Sequence, residues 1–142
     1  MSVNRDRHSH PLTELPGIPA DLLGQLNARG IQTTSQLLQT AADPAHRKKL
    51  ARSLNLRDQV IGKWYAMAEL AQVPNVGTVY CGLLLHCGIH SVRQLASADA
   101  GRLHRQVLRF QVALLRNREQ CPQLVDVVQW IRQAQRISAS AR

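Results

Sequence analysis

The sequence predicts an all-α protein of two fused four-helix repeats related by a pseudo-twofold axis. Three observations predict it. Residues 15–38, LPGIPADLLGQLNARGIQTTSQLL, recur as residues 73–96, VPNVGTVYCGLLLHCGIHSVRQLA, without a gap, at an offset of 58 from Leu15 to Val73. Glycines and helix-capping residues punctuate both copies at the same places. Apolar residues outside the copies recur at helical spacing rather than in alternation. A repeat of this length sets the architecture before any site is considered. The expected organisation is a first repeat over 12–72, a second over 73–137, and disordered tails over 1–11 and 138–142.

Within the copies, Pro16 answers to Pro74, Leu26 to Leu84, Ile31 to Ile89 and Leu37 to Leu95. In the first copy Gly17 makes a turn and a short helix runs from about Pro19 to Ala28, because proline suits a first helical turn where its missing amide costs little. Gly30, matched by Gly88, supplies the left-handed residue that ends the helix. Thr33 with Gln36, and Ser91 with Gln94, have the spacing of a capping box that starts the next helix. Gly24 and Gly82 fall in mid-helix, where glycine costs about 1 kcal/mol against alanine. Their recurrence predicts a close approach of two helix backbones.

The likeness continues past the copies, since His46, Arg47 and Leu50 match His104, Arg105 and Leu108. Asp43 and Pro44 open a third helix to about Ser53. A fourth, from about Arg57 to Ala71, carries Val60, Ile61, Trp64, Met67, Ala68 and Ala71 on its apolar side. In the second half a helix is expected from about Asp99 to Asn117. Cys121 and Pro122 open the last one, with Val127, Val128, Ile131 and Ala134 inward. Trp64 and Trp130 read as equivalent core anchors, their offset lengthened from 58 to 66 by an insertion around 117–124.

With 142 residues the chain is long enough to bury a core, and with 44% hydrophobic but 4% aromatic residues that core is aliphatic. No apolar run reaches membrane-spanning length and the polar start lacks a secretion signal, so no membrane insertion and a cytoplasmic location are expected. Cys81, Cys87 and Cys121 cannot all pair within one chain and read as free thiols.

The net charge is +9, from 18 basic and 9 acidic side chains, which points to an anionic partner. The charge is clustered. Arg47, Lys48, Lys49, Arg52, Arg57 and Lys63 stand against Asp58 alone, and Arg102, Arg105, Arg109, Arg116 and Arg118 stand with no acid between them. Arg102, Arg105 and Arg109 are spaced by three and four, so they line one helix face. Leu103, Val107, Phe110 and Leu114 take another face as core. Two basic ridges of this kind suit a phosphate backbone. They would equally keep a solvated surface soluble or meet the acidic helices of a partner protein.

Residues 15–38 and 73–96 resemble the helix-hairpin-helix motif, in which a glycine, apolar, glycine turn joins two short helices. Over nearly the whole chain the order of motifs is also similar to a family of small tandem helix-hairpin-helix proteins of cyanobacterial type whose biochemical role is not established. The resemblance implies that each repeat contains one hairpin and that hairpin amides grip a DNA phosphate without reading sequence. The turns depart from the pattern. They read Gly17-Ile18-Pro19 and Asn75-Val76-Gly77, each keeping one glycine. Pro19 has no amide to offer and Asp21 would repel a phosphate. The second turn is the better candidate: Asn75 tolerates left-handed geometry, and Gly77, Thr78 and Val79 present amides at a helix start. Neither turn carries Lys or Arg, so both also read as purely structural corners.

Other chemistry is not expected. Cys81 and Cys87 lie six apart, on different helix faces, and Cys81 takes the place of core residue Leu23, so Cys81, His86, Cys87 and His90 make a poor metal set and a poor thiol catalyst. Lys63, Asp58 and Asp126 match no glycosylase arrangement, acids are too sparse for a two-metal nuclease, and there is no GxxxxGK loop. The expected function is therefore a non-enzymatic, cofactor-free, sequence-independent nucleic-acid binder. DNA is favoured over RNA, through Gly77, Thr78, Val79, Arg47, Lys48, Arg102, Arg105 and Arg109. The alternative is an adaptor or assembly factor that docks on an acidic protein.

Overall fold

The computed structural model describes residues 9–114 and 121–140, without the side chains of 111–114. Among the described residues the chain is helical throughout, with no strand and one isolated antiparallel bridge between Pro11 and Thr33. A 3-10 turn at Leu12–Glu14 is followed by α1 (Ala20–Ala28), α2 (Thr34–Thr40), α3 (Pro44–Leu54), α4 (Asp58–Leu70), α5 (Gly77–His86), α6 (Val92–Ala96), α7 (Ala100–Leu114) and α8 (Leu124–Ser140). No helix among the described residues is long and apolar enough to cross a membrane.

Local chemistry explains most boundaries. Thr33 accepts the Gln36 amide while Gln36 Oε1 accepts the Thr33 amide, a complete capping box at the start of α2. Ser91 accepts the Gln94 amide at the start of α6, but the expected box is not closed, because Gln94 Oε1 accepts the His90 amide instead of that of Ser91. Asp43 caps α3, which carries Pro44 at its first position. The His46 amide, and then its imidazole, hold the Asp43 carboxyl below the usual carboxylate range. Gly30 and Gly88 end α1 and α5 with φ of 78° and 85°. The end of α3 falls to Asn55, the one described non-glycine with positive φ, at 58°.

α2 and α3 both pack on α4, and α6 and α7 both pack on α8. α5 joins the two groups by packing on α4 and on α7. One continuous core runs through all of them, with Leu26, Leu37, Ile61, Trp64, Val73, Val76, Leu84, Leu95, Val107, Val127 and Trp130 buried. The expected inward residues of α4 and α8 are there: Ile61, Met67, Ala68, Ala71, Ile131 and Ala134 are buried, and Val60 and Val128 are half-buried. Leu103 and Val107 of α7 are buried and Phe110 is half-buried, while the Leu114 side chain lies outside the described residues.

The structure departs from expectation in three places. The expected tails are partly folded: the His10 amide donates to Thr34 Oγ1 at 3.0 Å, and α8 continues to Ser140. Residues 1–8 and 141–142, the end of the expected 99–117 helix, and most of the expected insertion lie outside the described residues. The mid-helix glycines do not mark a close approach of two helix backbones. A Cβ on Gly24 would meet nothing within 4 Å, whereas one on Gly82 would lie 3.1 Å from Pro16 Cγ, a side chain of the first turn. Finally, Asn75 is not the left-handed residue of its turn. Gly77 takes that role with φ 52°.

Candidate nucleic-acid interface

Among the described residues each basic ridge exposes a triad of cations without a carboxylate partner. On α3, Lys48, Lys49 and Arg52 are exposed opposite buried Leu50, Ala51 and Leu54. On α7, Arg102, Arg105 and Arg109 are exposed opposite buried Leu103 and Val107. Helical spacing explains both triads, because residues three and four apart share a face and the apolar set claims the other. Among the described residues no lysine or arginine nitrogen comes within 4.0 Å of a carboxylate oxygen; the ion pairs formed are His10 with Glu14 and His46 with Asp43. Arg116 and Arg118, the expected continuation of the second ridge, lie outside the described residues.

Arg47 is placed differently from its neighbours. Its guanidinium stacks 4.3 Å from the Tyr65 ring centroid, Nε donates to the Ala41 carbonyl at 2.9 Å, and Nη2 reaches the Ala42 carbonyl at 3.4 Å. It thereby satisfies carbonyls at the end of α2 and ties α3 to α4. Its sequence counterpart Arg105 makes no such bond among the described residues. Arg47 is a structural cation, and Lys49 and Arg52, which the sequence places in the basic cluster but not among the expected contacts, complete the α3 triad in its place. Arg93, Arg132 and Arg136 are also exposed, outside either ridge.

The turn before α5 is held from behind. The Asn75 amide donates to Gln133 Oε1 at 2.9 Å, and Trp130 Nε1 donates to the Asn75 carbonyl at 3.1 Å, so both backbone groups of Asn75 are anchored to α8. The Gly77 amide donates to the Val73 carbonyl at 3.0 Å. Of the three amides expected to face a phosphate, Gly77 is therefore engaged within its own turn. Those of Thr78 and Val79 meet no acceptor among the described residues. Burial first, then the Asp126 and Cys121 charges, push the Tyr80 hydroxyl up from its ordinary value. At the first turn, Pro19 is the residue before α1 and Asp21 sits in the first helical turn. Gly17 has the expected positive φ, at 85°.

An open groove of about 970 Å³ runs beside α4, lined by Tyr65, Glu69 and Gln72 with Val92 and Arg93 of α6 and Gln135 of α8. Glu69 Oε1 accepts the Val92 amide at 2.8 Å, so α4 supplies the cap for α6. Burial pushes the Cys81 thiol up to about 11, and that of Cys87 to about 11 as well. Among the described residues no three His, Cys, Asp or Glu side chains are grouped to hold a metal ion.

No curated protein and no solved structure matches this chain. A family model described as a domain of unknown function, DUF4332, matches residues 16–137. That span takes in every described helix but the last residues of α8, and the chain belongs to the DUF4332 family.

Proposed function

We propose that the protein is a non-enzymatic module that binds duplex DNA through phosphates and without regard to sequence, in two duplicated helix-hairpin-helix units. The observation that carries the reading is the pair of exposed cationic triads, Lys48, Lys49 and Arg52 on α3 and Arg102, Arg105 and Arg109 on α7, with no carboxylate partner among the described residues. Unpaired arginines and lysines in a row release condensed counterions when they meet a polyanion, and that term is independent of base sequence. The parallel packing, α2 and α3 on α4 against α6 and α7 on α8, supports duplication. The amides of Thr78 and Val79, which meet no acceptor among the described residues, add at most a secondary phosphate contact. Anisotropy of two fluorescein-labelled duplexes of unrelated sequence, titrated at low salt, tests the reading. Both should bind, with dissociation constants on the order of micromolar or weaker. Absence of binding, or a strong preference for one sequence, ends it.

A second reading is an adaptor that docks on an acidic protein segment. It is favoured by the engaged Gly77 amide and by the groove along α4. Affinity purification with and without nuclease separates the two. A partner retained after nuclease treatment supports the adaptor, and loss of all captured material supports the nucleic acid.

A further inference from the structure

We infer that a hollow between α3, α4 and the His90–Ser91 connection binds a nucleotide-like phosphomonoester, its phosphate at Arg47 and Lys63 and its body toward Glu69. No residue of the exposed triads lines this hollow, and the site does not rest on the duplex-binding reading. The hollow holds about 510 Å³ and adjoins the groove beside α4, since Tyr65 and Glu69 line both. Small-molecule sites span roughly 300–1,000 Å³. The floor is one stripe of α4: Gln59, Gly62, Lys63, Ala66 and Glu69 are spaced by three and four, so they share a face. The middle of the stripe is small. Ala66 offers only a methyl group, and a Cβ on Gly62 would meet nothing within 4 Å. Arg47 of α3 also lines the hollow, and so do His90 and Ser91 before α6. Both elements are tied to α4, one by the stack of Arg47 on Tyr65 and the other by the Val92 amide bonded to Glu69 Oε1 at 2.8 Å.

The lining offers unengaged donors. Arg47 Nε and Nη2 are bound to the Ala41 and Ala42 carbonyls, whereas Nη1 makes no hydrogen bond among the described residues. The guanidinium is thus held in place before any ligand arrives, and little side-chain freedom is lost on binding. Lys63 is exposed and has no carboxylate oxygen within 4.0 Å among the described residues. Ser91 Oγ accepts the Gln94 amide and keeps its hydroxyl proton to donate. These donors suit a phosphomonoester, which carries three acceptor oxygens and about −1.5 to −2 charge at pH 7. A phosphodiester within a duplex continues in both directions, whereas a terminal phosphate enters a hollow end on. Glu69 gives the other end its character. It lies six residues beyond Lys63 on α4, about 9 Å along the helix axis. Its Oε2 makes no bond among the described residues. A carboxylate there repels a bare phosphate and accepts from a hydroxyl or amino group, which a nucleoside provides. Phosphate alone and nucleoside alone each satisfy one end of the site.

The test follows backbone amide resonances of the isotope-labelled full chain, titrated in turn with adenosine monophosphate, adenosine and inorganic phosphate. The monophosphate should shift the amides of Gly62, Tyr65, Ala66 and His90 saturably, with a dissociation constant on the order of 1 mM or tighter. Adenosine and phosphate should each bind about tenfold more weakly or less, since each lacks one set of contacts. Two variants separate charge from space. Lys63→Gln should weaken the monophosphate about fivefold or more, and Gly62→Leu, which fills the hollow, should abolish the shifts. Circular dichroism checks that they fold, and either one decides if the other does not. A short duplex with and without 5′ phosphates then reads the source of the phosphate. Shifts at these amides that require the 5′ phosphate assign the site to strand ends, and shifts with the mononucleotide alone assign it to free nucleotides; both support the site. The inference is overturned if the monophosphate gives no saturable shift, or shifts only the amides of α3 and α7. Phosphate binding as tightly as the monophosphate, or a monophosphate affinity unchanged in the folded variants, overturns it too.

Discussion

Trp130 Nε1 donates to the Asn75 carbonyl at 3.1 Å, so the last helix reaches back 55 residues to hold the turn before α5 in place. Trp130 is 1% exposed, and its ring also lies 5.2 Å from that of Tyr80. One side chain thus fixes a turn, stacks on the helix after it and fills the core.

Replacing Trp130 with Phe keeps most of the apolar volume and removes the donor. The expected loss is about 2 kcal/mol, from the lost hydrogen bond and the small cavity. Urea unfolding followed by circular dichroism measures it. A variant as stable as wild type would show that the anchor does not hold the turn.

Arg47 and Arg105 occupy matching places in the repeated sequence and should behave oppositely. Arg47→Ala removes two carbonyl bonds and the stack on Tyr65, at a cost of about 1–2 kcal/mol of stability. Arg105→Ala should leave stability within about 0.5 kcal/mol, as exposed substitutions do, and weaken DNA binding. Thermal melts and anisotropy on the same two variants check this. Reversed effects would refute the assignment of roles.

Gly24→Ala should stabilise the protein by about 1 kcal/mol, since a helical glycine with open space around it gains propensity and loses nothing. Gly82→Ala should gain less, because its new methyl would press on Pro16 Cγ at 3.1 Å. Chemical denaturation of the pair ranks them. Equal gains would contradict the close contact.

The buried thiols predict an alkaline loss of stability. Cys81 and Cys87 are pushed from an ordinary value of 9.0 to about 11 by burial. Below pH 9 folded and unfolded chains both keep these protons and the stabilising difference is complete. Between pH 9 and about 11 the unfolded chain ionises first, so stability falls as pH rises. Cys81→Ala should flatten that fall. Unfolding free energies measured from pH 8 to 11 on both proteins test it, and identical slopes would refute it.

Local signals in the sequence reached the local structure. Thr33 forms the capping box its spacing implies, Ser91 caps α6 with half of one, Gly30 and Gly88 are left-handed, and the apolar sides of α4 and α8 face the core. What could not be read was set by tertiary partners. Whether Arg47 points out or folds back depends on Tyr65 and the end of α2, which no spacing encodes. Whether the Gly77 amide is free depends on the Val73 carbonyl turning toward it, and Asn75 is held by Gln133 and Trp130 from the far end of the chain. Asn55 was legible in principle, since asparagine after a helix often takes the left-handed position. The triads were half legible: periodicity placed Arg102, Arg105 and Arg109 on one face, but Lys49 and Arg52 emerge only once Leu50, Ala51 and Leu54 are known to be inward.

The most direct measurement is the salt dependence of duplex binding by wild type and by R102Q/R105Q/R109Q. Plotted as log affinity against log salt, the wild-type line should be steep, and removing these three exposed cations should reduce its slope by about 2–3. A wild-type chain that does not bind duplex at low salt, or a triple variant whose slope is unchanged, would contradict the account.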